Sequence, residues 1–183
     1  QKGFAATRAE EVAALAGVSK GTLYLYYPSK EELLKAVIAH YLSARIAAGA
    51  AQAAGHNGST TALLQGILID WWTQLYDSPA AGVFKLVITE VRNFPEIAGF
   101  YHREVVERAH NLLGGIVRQG IHNGEFRPVA VDHAVHSLVL LTAATVRYWI
   151  YSSIGLGARV IASLTLIAGI TFWLGMGVVL GSV

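Results

Sequence analysis

The chain has 183 residues, is 54% hydrophobic and 14% charged, and has a mean hydropathy of +0.45. That excludes a disordered polar chain, and the length suits one domain or a small head on a larger body. A net charge of +2 excludes a strongly basic nucleic-acid coat, and the absence of Cys excludes a disulfide scaffold, a Cys-based zinc site and a thiol nucleophile.

Helical signals run through the chain and strand signals are nearly absent. Thr7 and Glu10 have capping-box spacing and predict a short helix that ends at Gly17. Ser19 caps a second short helix, Lys20 to Tyr26, and Pro28 breaks the chain again. Ser29 with Glu32 opens a third helix through Leu33, Leu34, Val37, Ile38, Tyr41 and Leu42. The segment Ala48 to Thr61, with Gly49, Gly55 and Gly58, reads as a frayed helix end and loop. Leu64, Ile67, Leu68, Trp71, Trp72 and Leu75 then form one face of a helix. Ser78-Pro79 opens Ala80 to Arg92, and Pro95 opens a long helix through Val117. Asn123-Gly124 and Pro128 mark a loop, Asp132 caps a helix to about Ser153, and Gly155-Leu-Gly157 separates it from a last helix. The organisation is three short punctuated helices over residues 1–45 and an all-helical body over 46–183.

The first part has helix–turn–helix spacing, with two short helices joined by Ala16-Gly17-Val18-Ser19. Such a second helix enters a major groove when one face is anchored and the other exposed. Leu23 and Val18 suit the anchored face. Lys20, Thr22, Tyr24 and Tyr26 supply donors on the polar face, and Lys30 stands where it could hold a phosphate. Residues 1–45 hold six Lys/Arg and four Asp/Glu, whereas 46–183 hold eight of each, so the whole positive excess lies in this part.

The run GFAATRAEEVAALAGVSKGTLYLYYPSKEELL, Gly3 to Leu34, resembles the DNA-binding signature of the tetracycline-repressor (TetR) family, most closely from Ala16 to Lys30. The resemblance implies an all-α protein with an N-terminal helix–turn–helix DNA-binding domain (1–45) and a C-terminal helical effector-binding and dimerisation domain (46–183). It implies a cytoplasmic homodimeric transcription regulator, usually a repressor, that leaves double-stranded operator DNA when a small molecule binds the body. Carried over position by position, Thr7 and Arg8 start the positioning helix, and Ser19, Lys20, Gly21, Thr22, Tyr24 and Tyr26 lie on or at the recognition helix. Lys30 is the phosphate anchor, and Leu23 and Tyr27 are core anchors. The resemblance also implies a helix before Gly3-Phe4. Without it, Phe4, Val12, Leu15 and Leu23 lose core partners at roughly 1.5–3 kcal/mol per large apolar side chain re-exposed. The competing expectation is therefore a helical ligand-binding or membrane-associated protein without DNA-binding activity.

In the body, Trp71, Trp72, Tyr76, Phe84, Phe100, Tyr101, Tyr148 and Trp149 are candidates to line a pocket for a hydrophobic or aromatic effector, though core packing accounts for such residues equally. His133 and His136 have helical ligand spacing but no accompanying carboxylate motif, so no metal is expected, and neither a cofactor nor a catalytic pattern is read. Residues Gln1 to Glu11 show no signal-peptide pattern. The stretch Val160 to Val183 carries no charge and leaves three readings open: half of a four-helix dimer seam formed by the last two helices, a membrane span, or a segment altered by a reading-frame slip.

Overall fold

Local capping accounts for the first three helices of the computed structural model, which describes residues 3–76, 79–90 and 93–139. Helix α1 is Ala9–Leu15. It starts two residues after Thr7, because Thr7 is used in a preceding turn: its N–H and hydroxyl both donate to the Gly3 carbonyl, at 3.2 and 2.9 Å. The Arg8 N–H instead reaches the Glu11 carboxylate at 3.4 Å. Gly17, with φ of 69°, ends α1 in the left-handed region that a side chain would disfavour. Helix α2, Lys20–Tyr26, starts where the Ser19 Oγ accepts the Thr22 N–H at 3.0 Å. Helix α3, Lys30–Ile38, starts with the same bond from the Glu32 N–H to the Ser29 Oγ at 3.1 Å.

The helical run then passes through a π-helical segment, Ala39–Ser43, in which the Ala44 N–H bonds to the Ala39 carbonyl five residues back. It continues as α4, Ala44–Ala54. The expected frayed end is thus a helix for its first half. Alanine is the best helix former, and Gly49 is buried where a side chain would crowd its neighbours: a Cβ there would stand 3.1 Å from Leu112 Cδ2. Helices α5 (Thr60–Tyr76) and α6 (Ala80–Glu90) follow. After α7, Pro95–Tyr101, a second π-helical segment, His102–Glu107, leads into α8, Arg108–His122. Gly124, φ of 73°, turns the chain, and residues 131–139 are helical again, α9. No strand occurs among the described residues. The expected end of that helix at Ser153, the break at Gly155–Gly157 and the apolar stretch 160–183 lie outside the described residues. Among those described, no helix is long and apolar enough to cross a membrane.

The chain divides into two compact units. One comprises residues 1–44 and 79–107. Its core includes Phe4, Leu34, Ile38, Leu42, Val83, Val87, Ile97 and Val105, and a separate cluster of Ala9, Ala13 and Leu23. Within it the two π-helical segments pack against each other, as do α3 and α7. The other comprises 45–78 and 108–183. There α5 packs on α8 around Leu64, Ile67, Leu68, Leu113, Ile116 and Val117, with Phe126 lying so close to Gly120 that a Cβ would collide with its ring.

In this second unit one distant side chain caps α5. Glu125 accepts the Ser59 hydroxyl at 2.6 Å and the N–H groups of Thr60 and Thr61 at 2.8 and 3.0 Å. Partial burial pushes its carboxyl up, but the bonds from Ser59, Thr61 and Thr60 outweigh that and hold it down at about 2. Because the folded-state value lies below the unfolded one, the stabilisation is complete above about pH 4.5 and is lost as pH falls toward 2. Replacing Glu125 with Gln is expected to cost about 1–2 kcal/mol at neutral pH, the worth of a helix cap with its bonds. Urea titrations should then show the gap between variant and parent closing as pH drops through that window.

Candidate nucleic-acid interface

Helix α2 is short and held from one side. Leu23 is its buried residue, packed with Ala9 and Ala13 and bordered by Val12, Tyr27 and Leu33. Its other side chains face outward, with Leu25 78% and Tyr26 71% exposed. The Ser19 and Thr22 hydroxyls bond each other at 2.8 Å and both are exposed. A helix anchored by a single side chain, with hydroxyls, tyrosines and a lysine on its free surface, has the form a major groove admits. Val18 departs from expectation: it does not join Leu23 in the anchor but is 40% exposed, because the turn at Gly17 carries it to the outside.

Lys20, Gly21, Thr22, Tyr24 and Tyr26 share the exposed helix, and Arg8 is exposed at the start of α1. A Cβ on Gly21 would meet only the Ser19 Oγ, at 3.7 Å, so its missing side chain answers no need of the fold and leaves room on the outer surface. Lys20 Nζ pairs with the Glu10 carboxylate on α1 and lies 5.7 Å from the centre of the Tyr24 ring. The hydrogen bond between them lowers the Glu10 carboxyl and raises the Lys20 ammonium.

Lys30 is engaged within the head. Its Nζ donates to the carbonyls of Phe4, Ala5 and Thr7 at 2.8, 3.3 and 3.1 Å and stands 4.4 Å from the centre of the Phe4 ring. Thr7 therefore lies at the Lys30 ammonium through its carbonyl. The same turn is held from α6, where Glu90 accepts the Phe4 N–H at 3.3 Å, and Phe4 meets Phe94 edge-on at 5.0 Å between ring centres. Glu10, Glu90 and Phe94 are the participants that sequence reasoning did not single out as neighbours of the site. The i, i+3 and i, i+4 rules do not reach them, since each acts across a helix boundary.

The effector candidates are dispersed. Phe84, Phe100 and Tyr101 are half-buried in the first unit, where burial pushes the Tyr101 phenol up to about 12, and Trp71 is half-buried in the second. Trp72 and Tyr76 fall on α5, and Tyr148 and Trp149 lie outside the described residues. The second unit carries a groove of about 610 Å³ between α4 and α8, lined by small residues and carboxamides such as Ala50, Ala54, Asn57, Asn111 and Gln119, and among the described candidates Trp71, Phe84, Phe100 and Tyr101 do not line it. His133 is exposed, and His136 Nδ1 is within 2.7 Å of the Asp132 carbonyl.

Residues 1–37 match the family model of the bacterial regulatory proteins, tetR family. The head of the chain is thus similar in sequence to the DNA-binding region of that family. Over 42 residues it is 48% identical to YerO of Bacillus subtilis (strain 168), described as an HTH-type transcriptional regulator; that match takes in 23% of this chain and 14% of YerO. Two solved structures share the TetR fold. PfmR of Thermus thermophilus superposes with a TM-score of 0.71 at 21% identity, over 92% of this chain and 89% of PfmR. FadR of Bacillus subtilis, solved with stearoyl-CoA, gives 0.71 at 21% identity, over 96% of this chain and 90% of FadR. The head is thus similar both in sequence and in fold, and its all-helical setting in fold alone.

Proposed function

We propose that this chain is a TetR-type transcription regulator, a homodimer whose heads bind double-stranded operator DNA and are released by a small molecule held in the body. The observation that carries the reading is α2: seven residues, one buried anchor at Leu23, and an outer surface of Lys20, Thr22, Tyr24 and Tyr26. In this reading residues 1–45 form the DNA-binding domain and 46–183 the effector-binding and dimerisation domain, pairing takes place through the last two helices, and the protein works on DNA in the cytoplasm, associated with the nucleoid. Ser19, Lys20, Gly21, Thr22, Tyr24 and Tyr26 meet bases and backbone in the groove, and Thr7, Arg8 and Lys30 serve the DNA backbone directly or by shaping the turn before α1. The half-buried aromatics Phe84, Phe100 and Tyr101, all of the first unit, favour a hydrophobic or aromatic effector. The acyl-CoA bound to FadR, which has a similar fold, supports a ligand with a long apolar part.

Selection of bound duplexes from a random library tests the reading. The protein should enrich a two-fold-related site with half-sites about 34 Å apart, one turn of the duplex. Lys20→Ala should then weaken binding to the enriched site about tenfold and relax preference at the bases it reads. Recovery of no enriched sequence would overturn the proposal. Fatty acyl ligands, added afterwards, should release the enriched duplex.

A further inference from the structure

Lys20 is the only Lys or Arg on α2, and in the DNA-free chain its ammonium is already bound by the carboxylate of Glu10. The partners come from different helices ten residues apart, and both are about half exposed, Lys20 at 53% and Glu10 at 55%. Helix α1 has an acidic first turn, Glu10 and Glu11, and neither α1 nor α2 has a basic residue in its last turn. The cation at the head of the recognition helix therefore meets DNA in company with an anion that the fold holds beside it.

We propose that Glu10 is a specificity-determining residue that neutralises Lys20 and so suppresses binding to DNA of arbitrary sequence. The inference rests on the DNA-binding reading above. Affinity for arbitrary sequence comes from phosphate neutralisation and the counterions it releases, and each neutralised phosphate adds about 0.9 to the salt slope. A lysine paired with a carboxylate releases no net counterion. If the pair persists, the lysine neutralises no phosphate; if it opens, the freed carboxylate regains a cation. Only a complex that offers Lys20 a directed partner, such as the O6 and N7 acceptors of guanine, replaces the carboxylate with a bond of similar quality. The hydroxyls of Ser19, Thr22, Tyr24 and Tyr26 carry no formal charge and add sequence-dependent contacts that Glu10 does not diminish.

The test uses the full chain and a fluorescein-labelled duplex of random sequence, titrated by anisotropy between about 50 and 200 mM salt. Glu10→Gln should bind more tightly throughout and steepen the plot of log Kd against log salt by about 0.9 per head. The double variant Glu10→Gln with Lys20→Ala should return to the parent slope. Glu107→Gln, the same charge change on the second π-helical segment, should leave the slope unchanged. Equal slopes in the parent and Glu10→Gln, or the same steepening in Glu107→Gln, overturn the role given to Glu10 while the DNA-binding reading stands. Absence of binding by both the parent and Glu10→Gln at the lowest salt overturns that reading and this inference with it.

Discussion

Truncating Leu23 to Ala is expected to unfold the recognition helix from its support and abolish DNA binding. Leu23 is the one α2 side chain in the cluster with Ala9 and Ala13. Its buried neighbours, Ala9 and Ala13, are too short to move into the space it leaves, and only the half-buried Val12, Tyr27 and Leu33 border it. Leu-to-Ala changes at such sites cost about 2–5 kcal/mol through lost transfer energy and the remaining cavity, which is a large share of the stability of a small head. Tryptophan fluorescence is a poor reporter here, since the tryptophans are Trp71, Trp72, Trp149 and Trp173, all beyond residue 45. Amide exchange over residues 9–27 should show lost protection, while α5 and α8 keep theirs. Leu23→Met, which conserves volume, should cost less than about 1.5 kcal/mol and retain binding. Unchanged exchange in Leu23→Ala would show that α2 is held by something other than this anchor.

The parts of the head legible in the sequence are those fixed within one turn of the chain. Ser19, Gly17 and Ser29 act on N–H groups and backbone angles within a few residues, so their types announce the boundaries of α1, α2 and α3. Thr7 has equally good capping chemistry, yet its hydroxyl goes back to Gly3, because Lys30 and Glu90 hold the turn 3–7 from positions remote in sequence. Gly49 obscures the extent of α4, since a glycine there has the look of a breaker while its lack of a side chain serves packing near Ile67 and Leu112. The π-helical segments leave no compositional trace. Glu125, separated by more than sixty residues from the N–H groups it caps, lies beyond any local rule. In the candidate site the residue types of α2 are readable, whereas the partner of Lys20 is not: a charge on one helix does not reveal which charge on the next will meet it.

Replacing Lys30 with Met separates two roles that the sequence assigns to the same ammonium. A lysine at the start of a helix near DNA suggests a phosphate ligand, whereas here the ammonium is surrounded by the carbonyls of Phe4, Ala5 and Thr7. Methionine keeps much of the stem and its apolar contact with Phe4 but offers no donor. Loss of bonds to a charged donor should cost the head about 1.5–3 kcal/mol, seen as faster amide exchange across residues 3–9. DNA binding should weaken as well, because Thr7 and Arg8 lose the turn that places them ahead of α1. If Lys30 acts through the turn, the affinity for every duplex falls while the salt slope stays at the parent value. If it is a phosphate ligand, exchange stays unchanged and the slope falls by about 0.9 per head. The bond lengths favour the first outcome, since a lysine already donating to three carbonyls would have to leave the turn open in order to reach a phosphate.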